Sequence, residues 1–348
     1  MKDKFLSVCI TSYNRVNELR RCLNSIKTRY SDEVEIIVSE DNSPQRDAIA
    51  DMVKQFAGES SIDVIFNTNE VNQGYDRNLG RLKSLASGKY IFYLSDDDCI
   101  MDGALDKVID ALKVQKPALM FEPFYYGPVD AVKRKYNKSF RIDAGEEAAS
   151  TYLYDAILFS GLIFEKDKIA EYDAERFLNC NYFQVYMFLM TIKKYGAYYL
   201  DVMTIDSVSD GENAYGTVKS TKKNELLADR NSIYSNIEFN KGLIKVIRFF
   251  DEDSNSDVIT KFAKEYSMRS YGGLSRARAY GRAEFRNDWK KLNELDKEYD
   301  PWIVIVEYNG MWDPALIMAT AKPRGWDIYQ SITLVDAASF NLQWNNMR

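Results

Sequence analysis

The chain of 348 residues contains no histidine. That single absence excludes a Ser-His-Asp triad, a Cys-His pair and every histidine-ligated metal site. A general base in this protein must be a carboxylate, a lysine, a tyrosine or a group borrowed from substrate. Cysteine is scarce as well: Cys9, Cys22, Cys99 and Cys180 are scattered, with no C-x-x-C spacing. This pattern suits a reducing compartment and no disulfide framework; Cys9 and Cys22 lie in apolar-patterned segments and read as small hydrophobes. No apolar run approaches the roughly 18 residues of a membrane-spanning helix. The opening Met1–Lys4 leads only to a short apolar run broken at Ser7, which does not read as a secretory signal. A net charge of −6 gives no basic footprint, so no nucleic-acid partner is expected. Neither a G-x-G-x-x-G loop nor a Walker loop is present, which removes support for dehydrogenase and ATPase readings. A nucleotidyltransferase would carry an early glycine-rich basic loop, and Thr11–Arg15 is not one. The expectation is a cytoplasmic protein, with peripheral contact at the inner face of a membrane left open.

What is present is an ordinary globular composition, 46% hydrophobic and 28% charged, in a chain long enough for one large domain and a smaller one. Residues 1–122 alternate two periodicities. Leu6–Ile10, Val34–Val38, Ile62–Phe66, Tyr90–Leu94 and Ala118–Phe121 are short apolar or aromatic runs that read as buried strands. Between them, Val16, Leu19, Leu23 and Ile26 fall at helical spacing, with Asn14 as a plausible cap. Further helices are marked by Ile49, Met52, Val53 and Phe56, by Leu79, Leu82 and Leu85, and by Leu105, Val108, Ile109 and Leu112. This rhythm predicts an α/β fold, a mainly parallel sheet with helices on both faces. From 123 to 222 the rhythm loosens, with a strand at Phe159–Phe164, an apolar helix at Phe183–Ile192 and a small-polar loop at Ser207–Ser220. From 223 to 348 the pattern is mainly helical, and Arg278, Arg282 and Arg286 share one face. That face is a solvated surface or a contact for anionic lipid headgroups. Trp302, Tyr308 and Trp312 nearby fit a core or an interfacial anchor equally.

Four motifs stand at strand exits, the edge where open α/β sheets bind ligands. Ser7–Arg15 ends a strand in small polar residues and opens a helix with Tyr13, Asn14 and Arg15, a plausible nucleotide cradle, since helix-start N–H groups favour phosphate. Glu35–Ser43 repeats the design with Glu40 and Asp41; a plain helix cap is the competing reading. In Asn69–Asn78, Gly74 permits a sharp turn before Asp76, Arg77 and Asn78. Tyr90–Asp98 runs a buried strand into Asp96, Asp97 and Asp98. Three adjacent carboxylates repel unless a cation or a hydrogen-bond network holds them. A hard divalent metal shared with a phosphorylated substrate would do so, and an acidic turn in solvent is the alternative.

All four motifs, in this order, resemble the nucleotide-binding half of a family 2 glycosyltransferase with the GT-A, Rossmann-like fold. In that family a P-x-Y-N-R strand end, a V-D-D-x-S turn, an N-x-G…R-N segment and a D-x-D-D turn build one sugar-nucleotide site. The resemblance implies that Thr11 and Tyr13 line a base pocket beside Asn14 and Arg15, that Asp41 contacts the base, and that Gly74 and Asn78 lie near the nucleotide. It further implies that Asp96 is the ribose-side acid, and that Asp97, with Asp98 beside it, holds Mg²⁺ or Mn²⁺. Ser95 stands where the first acid of the turn is expected. This variant resembles the abequosyltransferase-like subset that transfers deoxy sugars in bacterial surface polysaccharide assembly.

The second half departs from the pattern. Ser160–Phe164 matches the family's G-x-x-x-F strand, but Asn179–Tyr186, where an E-D pair would open the next helix, carries no acid. Asp155 is the first choice for the missing base, with Asp173 and Glu175 behind it. Asp210 stands near the place of a late metal-binding histidine that the composition excludes. The expected activity is inverting, metal-dependent transfer from a nucleoside diphosphate sugar to a glycan or lipid-linked acceptor. The alternative is an inactive protein that binds sugar-nucleotide or glycan.

Overall fold

The structure is a computed structural model that describes residues 4–126, 130–208 and 233–262, with side chains described from 239 in the last segment. The chain divides into two compact units, Met1–Tyr266 and Ser267–Arg348, and all described residues lie in the first. Asp210, the arginine face at 278–286 and the tryptophans at 302 and 312 lie outside the described residues, as does most of the loop expected at 207–220.

Strands β1 (Leu6–Ser12), β2 (Val34–Glu40), β3 (Asp63–Thr68) and β4 (Tyr90–Ser95) form a parallel block in the order β3-β2-β1-β4. All seven residues of β2 are buried, and β1 is buried except at Thr11. Both faces of these strands are covered, so they read as continuous apolar runs instead of alternating ones. One face packs on α1 (Val16–Ser25), α2 (Arg46–Glu59) and α4 (Ala104–Gln115), through Leu19, Leu23, Ile49, Val53, Leu105 and Ile109 against Val8, Ile36 and Phe92. The other packs on α3 (Tyr75–Leu85), whose Leu79 and Leu82 are fully buried.

Beyond β4 the sheet changes direction. Chain order continues through β5 (Cys99–Ile100), β6 (Leu119–Phe121), β7 (Phe124–Tyr126), β8 (Ala131–Lys133) and β9 (Phe140–Ile142). Next come α5 (Glu146–Tyr152), β10 (Ile163–Glu165), α6 (Lys166–Ile169), α7 (Phe183–Tyr195), β11 (Ala197–Tyr199) and β12 (Ile205–Ser207). Strand β10 runs antiparallel between β4 and β6, so its first residues lie at the carboxyl edge of both neighbours. The eight-stranded order is β3-β2-β1-β4-β10-β6-β11-β9. A second sheet, β5-β12-β7-β8, takes up the chain as it leaves β4 and again as it leaves β6.

Helix α7 is buried along nearly its whole length because α3, α5, α6 and the long helix α8 (Ile233–Ser254) surround it. A helix that is apolar all round is an interior helix. Gly242 of α8 passes so close to the loop before α7 that an added Cβ would fall 2.1 Å from the Cys180 carbonyl oxygen. Asp253 anchors the far end of α8 by accepting from Arg176 (2.5 Å) and from the Tyr186 hydroxyl (2.6 Å).

Candidate active site

The parallel registry of β1 and β4 sets Thr11 beside Ser95, so the turns after both strands meet. There the Tyr13 backbone N–H donates to Asp96 Oδ2 (3.1 Å) and Arg15 Nη1 to Asp96 Oδ1 (2.8 Å). The same guanidinium nitrogen is 3.2 Å from Asp97 Oδ2. Arg21 donates to the Asp97 carbonyl oxygen (3.1 Å), and the Ser95 hydroxyl donates to Asp97 Oδ1. Asp98 turns the other way: Ser160, just ahead of β10, donates its hydroxyl to Asp98 Oδ2 (2.6 Å). Asp98 Oδ1 is buried with no hydrogen-bond partner among the described residues.

All three acids are buried. Burial pushes the Asp96 carboxyl up to about 7, with the Arg15 charge opposing and the Asp97 charge adding. Asp98 is likewise raised to about 7, by burial and then by Asp97, against the Ser160 and Ser207 hydroxyls. Arg15 thus supplies part of the cation that the run of acids demands, and hydroxyls supply the rest of the network.

A second knot forms where β2 and β3 end. Asp41 accepts at Oδ1 from Asn69 Nδ2 (2.8 Å) and the Gln73 N–H (2.8 Å), and at Oδ2 from the Gly74 N–H (2.9 Å). Burial raises the Asp41 carboxyl, with these three donors opposing. Asn78 donates to the Ser39 carbonyl (3.0 Å), and Gly74 turns the chain into α3 with φ +79. The Asp41 N–H donates to the Ser12 carbonyl (3.0 Å), which ties this knot to the turn holding Tyr13. Glu40 caps the following turn by accepting from the Asn42 and Ser43 N–H groups (2.9 and 2.8 Å).

Of the residues singled out from sequence, Thr11, Tyr13, Arg15, Asp96, Asp97 and Asp98 share one edge, with Asp41, Gly74 and Asn78 adjoining them. Asn14 differs from expectation. Its backbone is left-handed at φ +59, and Arg15 occupies the position before α1 with no side-chain cap. Asn tolerates that conformation better than most residues, and adopting it removes Asn14 from the capping position. Asp155 lies in the one-turn segment Leu153–Ala156, 3.6 Å from Lys135, and burial raises its carboxyl. Glu175 is held bidentately by Arg77 (2.7 Å each). It lines, with Asp173, an open cleft of about 730 Å³ beside the site, between α3 and residues 170–175.

Three groups have roles that the sequence reading did not assign. Asp76, on the first turn of α3, accepts from the N–H groups of Asn181 (3.0 Å) and Phe183 (3.1 Å) and so caps α7. An acid therefore does stand at the start of α7, contributed by another helix. Ser160 carried no signal of its own. Glu122 follows β6 as Asp96 follows β4, and the rule about acids at strand exits applies to it equally.

The sequence pattern described as glycosyl transferase family 2 matches residues 7–183, just over half of the 348. Curated relatives match over shorter stretches. The abequosyltransferase RfbV of Salmonella typhimurium is 32% identical over 102 residues, 29% of this chain and 30% of that protein. The GalNAc(5)-diNAcBac-PP-undecaprenol beta-1,3-glucosyltransferase of Campylobacter jejuni is 31% identical over 104 residues, 30% of this chain and 33% of that one. The matched region thus spans about a third of the length of these relatives. Among solved structures, S. aureus TarS 1–349 in complex with UDP-GlcNAc superposes with a TM-score of 0.47 at 14% identity, over 88% of this chain and 95% of that one.

Proposed function

The chain belongs to glycosyl transferase family 2, and from that premise we propose that it transfers a sugar from a nucleoside diphosphate donor. The acceptor is a hydroxyl of a glycan or lipid-linked molecule in bacterial surface polysaccharide synthesis, and the anomeric configuration inverts. The observation that carries this reading is the buried junction of the β1 and β4 exits, where Tyr13 and Arg15 engage Asp96 and Asp97. Four raised or paired acids at one sheet edge are costly to keep and are a functional-site signature.

Each residue has a task in this reading. Tyr13 packs on the base. A carboxylate offers about four lone-pair sites; the three donors on Asp41 leave one at Oδ2, the oxygen bound only by Gly74, to accept a base N–H. Asp96 accepts from the ribose. Arg15, already sharing two acids, balances charge as the diphosphate arrives.

The donor set suits a divalent metal. Asp98 presents its unpartnered, buried Oδ1, and Asp97, held by Ser95 and Arg15, would join it by exchanging its Arg15 contact for the cation. No group of three or more metal-ligating side chains is gathered among the described residues. Mg²⁺ and Mn²⁺ sites in phosphate chemistry are routinely completed by substrate oxygens and water instead. When bound there by Asp97 and Asp98, such a metal would neutralise the diphosphate leaving group.

No helix among the described residues is long and apolar enough to cross a membrane. One observation favours a second reading, a protein that binds sugar-nucleotide without turnover: Asn179–Phe183 contains no acid. The two separate when a panel of sugar-nucleotides is incubated with protein and Mn²⁺. Slow donor hydrolysis supports transfer; nucleotide binding without hydrolysis, with acceptors present, supports the binder.

A further inference from the structure

Strands β4 and β6 both point their carboxyl ends at the site edge, and the start of β10 lies between them. Two consecutive residues there, Ser160 and Gly161, face one acid each. Ser160 donates to Asp98 Oδ2. Gly161, with φ +94, lies against Glu122: a Cβ built on it would stand 2.9 Å from Glu122 Oε2 and 3.2 Å from the Ile205 side chain. Adjacent Cα atoms are about 3.8 Å apart, so Glu122 is a single residue step from the group that holds Asp98. The missing side chain at Gly161 leaves the space the Glu122 carboxylate uses.

Glu122 Oε1 is buried with no hydrogen-bond partner among the described residues. The residue as a whole keeps some solvent contact, while the Oε1 end of its carboxylate is buried. Burial alone, with no opposing charge or donor, pushes its carboxyl well above the ordinary carboxylate range. A buried carboxylate oxygen left unpaired calls for a role. Of the other acids, Glu175 is engaged by Arg77 and Asp76 by the start of α7, while Asp155 also keeps a buried Oδ2 without a hydrogen bond but has the Lys135 ammonium 3.6 Å from it.

We propose that Glu122 is the general base of the transfer, an inference that rests on the glycosyltransferase reading above. Its carboxylate takes the proton of the acceptor hydroxyl as that oxygen bonds to the anomeric carbon. The bond from that carbon to the diphosphate oxygen breaks, and its electron pair leaves on the diphosphate. The proton passes from Glu122 to water before the next turnover.

Water serves as acceptor in the test. Hydrolysis of UDP-glucose, UDP-N-acetylglucosamine, GDP-mannose and dTDP-rhamnose is followed with Mn²⁺ by release of the nucleoside diphosphate, alongside binding of UDP, GDP and dTDP. Glu122→Gln is expected to cut hydrolysis by about 100-fold or more while nucleotide affinity stays within about threefold of wild type, which also reports an intact fold. Glu122→Asp keeps a proton acceptor set back by one methylene and is expected to fall between the two. Three results overturn the assignment: hydrolysis preserved in Glu122→Gln, nucleotide binding lost together with hydrolysis in both variants, or hydrolysis lost in Asp155→Asn but not in Glu122→Gln. A wild-type protein that hydrolyses none of the donors ends the transfer reading itself and the base with it.

Discussion

Asp76 offers a test in which two physical effects oppose each other with similar size. Its carboxylate is 2% exposed and accepts from the backbone at the head of α7. Burial disfavours the charged form, whereas backbone N–H donors favour it. Burial wins, and the carboxyl is raised from 3.8 to about 6. The folded protein then holds this proton across a range where the unfolded chain has released it. The associated stability is complete below the unfolded value and is lost as pH rises through the folded one. A shift of about 2 units corresponds to ~3 kcal/mol over the whole range, of which ~2 kcal/mol falls between about pH 4.5 and 7.5.

Asp76→Asn removes the titration. Its amide oxygen keeps one of the two N–H groups and its NH2 sets a donor against the other, a pH-independent cost that leaves the slope of the difference unchanged. Urea unfolding of both proteins across this range isolates Asp76, because other groups titrate in both and cancel in the difference. The variant is expected to gain ~2 kcal/mol on wild type from the acid to the neutral end. A flat difference would refute the burial argument. A difference of opposite sign would show that the N–H donors outweigh burial and hold the carboxyl below its ordinary value.

Asp97→Ala is expected to lower donor turnover by at least about 100-fold with an unchanged circular dichroism melt; undiminished turnover would remove Asp97 from the chemistry. Arg15→Gln leaves Asp96 and Asp97 buried without their shared cation, at a cost of ~3–5 kcal/mol. That loss should shrink near pH 5, where Asp96, raised to about 7 in the wild type, carries its proton; urea unfolding that shows equal losses at pH 5 and 8 would refute it. Asp41→Ala releases the Gln73 and Gly74 N–H groups that set the entrance of α3. Calorimetric titration with UDP and GDP should show about a tenfold or larger loss of affinity, and unchanged affinity would place Asp41 outside the nucleotide site.

The parallel block was legible in the sequence because its strands are covered on both sides. YIFYL is an unbroken apolar and aromatic run and VEIIV is broken only at Glu35, while Leu19, Leu23, Leu105 and Ile109 repeat at a helical period. Strands β7 to β12 were harder to read for a physical reason: each is only three residues long, too short for any period to emerge, and each is stabilised by partners far away in the chain. The same limit explains Asn14, where a small polar residue before a helix fits a cap and a left-handed turn equally well.

Strand exits could be read one by one, but the pairing between them could not. Arg15 and Asp96 are 81 positions apart, Ser160 and Asp98 62, and Asp76 and Phe183 107. As a string, Asp96, Asp97 and Asp98 are three equivalent anions. Strand β4 ends there, and the tight turn that follows sends successive side chains in different directions. Asp96 and Asp97 meet Arg15 while Asp98 meets the start of β10, so the run becomes two environments within a few ångströms of each other. Because β10 enters antiparallel, Ser160 and Gly161 just ahead of it touch the exits of two different strands at once, and the acid after β6 is drawn into the neighbourhood of the acids after β4. Topology, more than any local motif, therefore decides which carboxylates can act together.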